Sequence, residues 1–195
     1  MKLHFGSETY FNVEHVYIFM RLFIAIDIDD RLKDKIADLQ KRFHGIDIKL
    51  VEKQNLHFCL KFLGEADESQ INDIKAVIDK VAKQFEPFEI NIAGLNAFPS
   101  KNYVKVVFLE VKKGREIMKA ISYMLEELGK ENRDFIPHLT LGRVKSGQGK
   151  EKLKKLLREL EDIEIGKMDV NEIRLIKSEL TPSGPVYEKI FKSSL

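Results

Sequence analysis

The 195-residue chain has one cysteine, no tryptophan and a formal net charge of only +2. A lone Cys59 excludes an intrachain disulfide framework and suits a reducing cytoplasm. With 33 basic residues against 31 acidic ones, any preference for anions rests on where Lys and Arg are placed rather than on overall charge. No apolar run approaches the roughly 20 residues needed to cross a bilayer. Cys-x-x-Cys and His-Glu-x-x-His are both absent, so zinc lacks its usual signatures and no metal or cofactor is expected. No stretch is low in complexity, and no long linker divides the chain.

What is present is ordinary for a soluble globular protein: 44% hydrophobic and 33% charged residues, enough to bury a sizeable core. Residues 1–19, "MKLHFGSETYFNVEHVYIF", lack the basic start and small-residue cleavage site of a secretory signal, and they show no clear periodicity. They are expected to be an extension ahead of a domain that runs over 20–195. From Met20 strands and helices alternate. "RLFIAIDI" is a strand ending in Asp29-Asp30, a helix cap. Leu32, Ile36, Leu39 and Phe43 then fall on one helical face, as do Ile71, Ile74, Ile78, Val81 and Phe85 further on. "PFEINIAGLNAF" and "NYVKVVFLEVK" read as strands about a turn at Pro99-Ser100. "REIMKAISYMLEELG" reads as a helix to Gly129 and "KEKLKKLLRELED" as a charged helix. The order predicts two α+β lobes, about 20–95 and 96–195.

Each predicted lobe holds one strand with a histidine in it: "NLHFCLKFLG" and "FIPHLTLGR". Side chains alternate along a strand, so His57 shares a face with Cys59, and His138 with Thr140. Phe58, Leu60, Leu139 and Leu141 point the other way, toward a core. A single strand histidine is more often structural than catalytic, but two in one local frame form a pair. Imidazole titrates near neutrality, so one ring can accept a proton while its partner gives one. Phosphodiester chemistry needs that combination, because the attacking oxygen loses a proton as the leaving oxygen gains one. His57 with Cys59 is the alternative start of a metal site, but further ligands are wanting. His4, His15 and His44 lack such surroundings.

The stretches "RLFIAID", "NLHFCLKFLGE", "PHLTLGRVK" and "TPSGPVYEKI", in that order from about residue 20 to the end, resemble the two-histidine (2H) phosphoesterases. Within them the chain is most similar to the RNA 2′,3′-cyclic phosphodiesterases, also called 2′-5′ RNA ligases. The resemblance implies a bilobal, duplicated α+β fold: two antiparallel sheets with flanking helices around a central cleft. It implies His57 and His138 as the catalytic pair, with Thr140, Cys59 and Arg143 at the phosphate. Cys59 departs from the Thr or Ser usual there, and a thiol is the weaker donor. Phe62 and Tyr187 fall in matching segments and would stack a base, with core packing as the competing reading. The implied partner is RNA ending in a 2′,3′-cyclic phosphate, tRNA fragments included, handled by a cytoplasmic monomer without a membrane or a cofactor. The alternatives are a nucleotide-binding 2H module without turnover and an esterase for small cyclic nucleotides. Lys53, Lys61, Lys101, Lys105 and Lys145 would edge such a cleft, although lysines between aliphatics are more often a solvated strand face.

Overall fold

The computed structural model describes residues 19–129, 135–182 and 184–195; the expected N-terminal extension lies outside these apart from the backbone of Phe19. The elements run β1 (Phe19–Asp27), α1 (Asp30–Gln40), β2 (Ile48–Leu50), β3 (His57–Asp67), α2 (Ile71–Ala82), β4 (Phe88–Pro99), β5 (Val104–Val111), α3 (Arg115–Met124), β6 (His138–Val144), α4 (Lys150–Glu159), β7 (Glu164–Val170), β8 (Glu172–Thr181) and β9 (Gly184–Ser194). Asp29 caps α1, its carboxylate accepting from the Arg31 N–H at 2.8 Å, which satisfies one of the donors left open at a helix start. The apolar stripe of α1 is buried as its spacing requires, through Leu32, Ile36 and Leu39 to Phe43. All four helices end a few residues before the stretches read from their sequences. The α1 helix tightens into a 3₁₀ turn over Lys41–Phe43, and α3 gives way to one over Leu125–Leu128 before Gly129.

The strands form two antiparallel sheets, ordered β3-β1-β8-β9 and β2-β6-β5-β4-β7. This corrects the division of the chain near residue 95. Strands β8 and β9, from the end of the chain, complete the sheet that β1 begins, and β4 itself crosses the expected boundary. Helices also change sides. The α1 helix follows a strand of the first sheet but packs on β7 of the second, and α3 follows a strand of the second but packs on β3 of the first. One helix from each half of the chain thus crosses to the other sheet, while α2 and α4 stay on the sheet of the strand before them. A main core results, with Ile24, Phe58, Ile90, Leu109, Leu139 and Ile173 wholly or almost wholly out of water, beside a small second cluster of Phe23, Ala25 and Ile176.

The two histidine strands share a distortion that alternation does not foresee. In β3 the pairing with β1 runs Asp27↔His57, Ile26↔Phe58, Ala25↔Cys59 and then Ile24↔Lys61, so Leu60 is an extra residue. In β6 the pairing with β5 runs Glu110↔His138, Leu109↔Leu139, Phe108↔Thr140 and then Val107↔Gly142, so Leu141 is extra. Both are β-bulges, and both fall on the third residue after the histidine. A bulge leaves a backbone group without its ladder partner, and a buried carbonyl without one is costly. Two polar side chains on otherwise apolar helix stripes meet that need. Ser122 of α3, 6% exposed, donates its hydroxyl to the Leu60 carbonyl at 2.8 Å. Gln40 of α1, 7% exposed, donates to the Leu141 carbonyl at 3.1 Å and to that of Val51 at 2.8 Å. The Leu141 carbonyl also accepts from the Val51 N–H, so only the Leu60 bulge relies on a single capping side chain.

Ser122→Ala removes that one donor without changing the packing volume much. Urea unfolding should show a loss of about 1–3 kcal/mol, the cost of a buried acceptor left unsatisfied. A change within 0.5 kcal/mol, roughly the range of an indifferent surface substitution, would mean that the bulge carbonyl finds another partner.

Candidate active site

The strands β3 and β6 come together at the centre of the molecule, and their open faces wall a cavity of 460 Å³. His57, Cys59, Phe62, His138, Thr140, Arg143 and Tyr187 all line it. The bulges are the reason that Phe62 and Arg143 are among them. Each lies five residues after a histidine, an odd separation that strict alternation would send to the opposite face. The extra residues Leu60 and Leu141 turn both back to the cleft. The same offset thus carries a phenyl ring on one sheet and a guanidinium on the other. Phe62 is 59% exposed, which removes the core-packing alternative for it. Phe58, Leu60, Leu139 and Leu141 fill the core behind, at 0–2% exposure.

Both imidazoles are held in the same way. His57 Nδ1 lies 2.7 Å from the carbonyl of Asn55, and His138 Nδ1 lies 2.7 Å from that of Ile136. In each case the partner sits two residues earlier. A carbonyl only accepts, so Nδ1 carries the proton in both rings and Nε2 is the atom left for chemistry. Aromatic rings from neighbouring strands fix the planes. Phe23 and Tyr187 stand 4.8 and 5.4 Å from the His57 ring centroid. Phe98 and Phe108, stacked at 4.1 Å, meet His138 edge-on at 5.0 and 5.3 Å. The buried Asn55 side chain donates to the Pro185 carbonyl at 3.1 Å, tying the loop before His57 to the start of β9 and hence to Tyr187.

Burial pulls both histidines below the ordinary imidazole value of 6.5. For His57 the backbone bond and Asp27 oppose the shift, while the other histidine adds to it. For His138 the backbone bond opposes, and the Arg143 guanidinium reinforces it. Burial also raises the Tyr187 phenol, with Cys59 pushing it up further and Arg143 opposing. Among the described residues no group of three or more His, Cys, Asp or Glu is arranged to hold a metal, and no helix is long and apolar enough to cross a membrane.

Several neighbours escape sequence reasoning. Phe23, Phe98 and Phe108 read only as strand aromatics. Gln40 and Ser122 carry a faint signal, each being a polar residue on an apolar helical stripe. The lysines separate. Lys53 pairs with Asp34 away from the cleft. Lys61, 4% exposed, lines the cavity. Lys101 and Lys105 belong to an adjoining groove, and Lys145 borders both.

Residues 28–182 match the 2′-5′ RNA ligase superfamily. The chain belongs to this family. It is 41% identical over 174 residues to the RNA 2′,3′-cyclic phosphodiesterase of Methanocaldococcus jannaschii, covering 88% of this chain and 98% of that one. It is 38% identical over 174 residues to the protein of that name from Methanothermobacter thermautotrophicus, covering 86% and 95%. The fold agrees with the crystal structure of TT0787 of Thermus thermophilus, with a TM-score of 0.75, 29% identity, and 90% and 98% of the chains covered. Escherichia coli LigT complexed with 3′-AMP has the same fold, with a TM-score of 0.76 at 21% identity over 91% and 99%. The two-sheet α+β fold is thus shared with these solved structures.

An acid–base pair of histidines transfers protons with one imidazolium and one neutral ring. With both groups lowered, the singly protonated pair accumulates on the acid side of the ordinary value. Above it both rings are neutral; further into acid both are charged. The pH profile of kcat/KM, which reports the unliganded enzyme, should be a bell whose apex lies below pH 6.5. An apex at pH 8 would contradict the burial argument.

Cys59 stands where Thr140 stands in the other strand, and a hydroxyl donates better than a thiol. Cys59→Thr should raise kcat/KM by roughly two- to tenfold, the worth of a neutral hydrogen bond of about 0.5–1.5 kcal/mol. A severe loss would give the thiol a role of its own.

Proposed function

We propose that the protein hydrolyses 2′,3′-cyclic phosphates at RNA ends to 2′-phosphates, with the two histidines as acid and base. The observation that carries the reading is the matched pair of imidazoles, each with Nδ1 fixed on a carbonyl and Nε2 left to one cavity. The names of the relatives point to the same chemistry. One neutral Nε2 takes a proton from water as its oxygen attacks phosphorus. The protonated Nε2 of the other ring gives its proton to the departing 3′-oxygen. One P–O bond forms, one breaks, and the proton count is unchanged. The two rings then hold exchanged roles, and solvent restores them.

The remaining groups have separable tasks in this reading. Arg143 grips the non-bridging oxygens, as a planar guanidinium does well. The Thr140 hydroxyl and the Cys59 thiol donate to the phosphate from the two strands, stabilising charge that grows in the transition state. Phe62 and Tyr187 offer ring faces to the terminal base. The cyclic ester is strained, so no nucleotide cofactor is required. Run in the same direction with an RNA 5′-hydroxyl in place of water, the same pair forms a 2′-5′ linkage without ATP. Hydrolysis dominates unless a second end is held close, since only positioning supplies the effective molarity to compete with bulk water. The setting we infer is a monomer in the reducing cytoplasm.

His57→Ala and His138→Ala should each lower turnover by roughly 10² to 10⁴, the usual worth of a positioned acid or base, with the circular dichroism spectrum retained. End-labelled RNA bearing a 2′,3′-cyclic phosphate should give the 2′-phosphate as product, with or without EDTA. Parental rates in either variant would sink the paired-histidine mechanism. Predominant 3′-phosphate would mean that the other oxygen leaves.

A further inference from the structure

The cleft continues past the histidines. Arg143 and Lys145, at the exit of β6, line both the catalytic cavity and a second one of 620 Å³ beside it. The turn between β4 and β5 walls this groove with Lys101 and Tyr103, the start of β5 with Lys105, and the first turns of α4 with Lys150 and Lys154. Six basic side chains thus face one groove with no carboxylate among its lining residues, in a chain whose whole surplus is two charges. Lys101 and Lys154 have acidic partners outside the groove, Glu161 and Glu151. Arg143, Lys105, Lys145 and Lys150 have no ion-pair partner among the described residues. Like charges gathered without compensation repel one another, and an anionic occupant relieves that repulsion. Tyr103 stands among them 63% exposed, with Lys105 Nζ 5.4 Å from its ring centroid. An exposed ring between cations is the pairing that single-stranded nucleic acid uses, backbone on the charges and base on the ring.

We propose that this groove binds the single-stranded body of the RNA whose cyclic end lies between the histidines, and so directs the enzyme to RNA ends in preference to mononucleotides. The inference rests on the phosphodiesterase reading for what the bound end undergoes, but not for the binding itself. The shared Arg143 decides between an RNA strand and an acidic peptide. An occupant of the groove must lie beside the terminal nucleotide whose phosphate is gripped in the catalytic cavity, and a strand that continues from that nucleotide's 5′-oxygen does so.

The test compares the parent with Lys105→Glu/Lys150→Glu and with Tyr103→Ala, residues that do not line the catalytic cavity. Binding is followed by fluorescence anisotropy with a labelled single strand of about ten nucleotides ending in 3′-phosphate, a span of the size such grooves cover. The charge reversals should weaken binding on the order of tenfold or more at low salt and flatten the log–log salt slope by roughly 0.7 per lost phosphate contact. Tyr103→Ala should weaken binding with the salt slope unchanged. Values of kcat/KM on RNA with a cyclic end should fall in step, while those on 2′,3′-cyclic AMP stay at the parental level. Undiminished RNA binding in both variants overturns the proposal, as does an equal fall on RNA and on cyclic AMP. An oligoglutamate peptide that displaces the RNA at equal concentration also overturns it. If the parent hydrolyses neither substrate yet binding still depends on Lys105 and Lys150, the phosphodiesterase reading falls and the groove stands.

Discussion

The aim of Phe62 and Arg143 depends on one backbone irregularity made twice: an extra residue in a β-strand three places after a histidine, with its carbonyl held by a helix. Without the bulge at Leu141, Arg143 would sit on the face opposite His138; without that at Leu60, Phe62 would be turned from the cleft. The freed carbonyls meet Ser122 at one bulge, and Gln40 together with the Val51 N–H at the other, in a dry interior where an unpaired acceptor is costly. The two side chains come from α3 and α1, the two helices that cross to the sheet their own preceding strand does not belong to. The interleaving of the halves and the aim of the binding side chains are therefore one problem with one solution.

The two halves solve it with different chemistry. At the bulge-directed position the first sheet offers a ring, Phe62, and the second a cation, Arg143. Two apart from the histidine, the first offers a thiol and the second a hydroxyl. Both histidines keep the same backbone bond, tautomer and pair of aromatic supports. The same frame thus holds both histidines, while the groups beside them differ, a ring and a thiol on one strand and a guanidinium and a hydroxyl on the other. Burial makes the rings weaker bases than free imidazole, which leaves each poised to release a proton readily.

Charge follows the same division. Basic and acidic residues nearly cancel over the chain, yet the catalytic cavity and the groove beside it hold Lys61, Arg143, Lys145 and their neighbours against one lining carboxylate, Glu52. Elsewhere lysines are mostly spent on exposed pairs such as Lys53 with Asp34 and Lys80 with Glu127, which contribute little to stability. The field at the cleft is made by placement alone.

How much of this was legible in the chain follows from the range of each interaction. The helix stripes, the Asp29 cap, the strand order and the pairing of His57 with Cys59 and His138 with Thr140 rest on local periodicity, and the sequence alone determined them. Resemblance to a family singled out Arg143 and Tyr187, and both line the cavity. The sequence did not determine the division into sheets, because strand pairing is a long-range choice: β8 joins β1 across most of the chain, and the boundary drawn near residue 95 fails for that reason. Nor did it determine the bulges, the carbonyl partners of Ser122 and Gln40, or the bracing of His138 by Phe98 and Phe108. Each of these requires two distant segments in register, and nothing in either segment by itself fixes that register. The lysines show the same limit, since only the fold separates Lys53, tied to Asp34, from Lys105 and Lys145, which face the groove. Tertiary structure decided which charges remained available to a ligand.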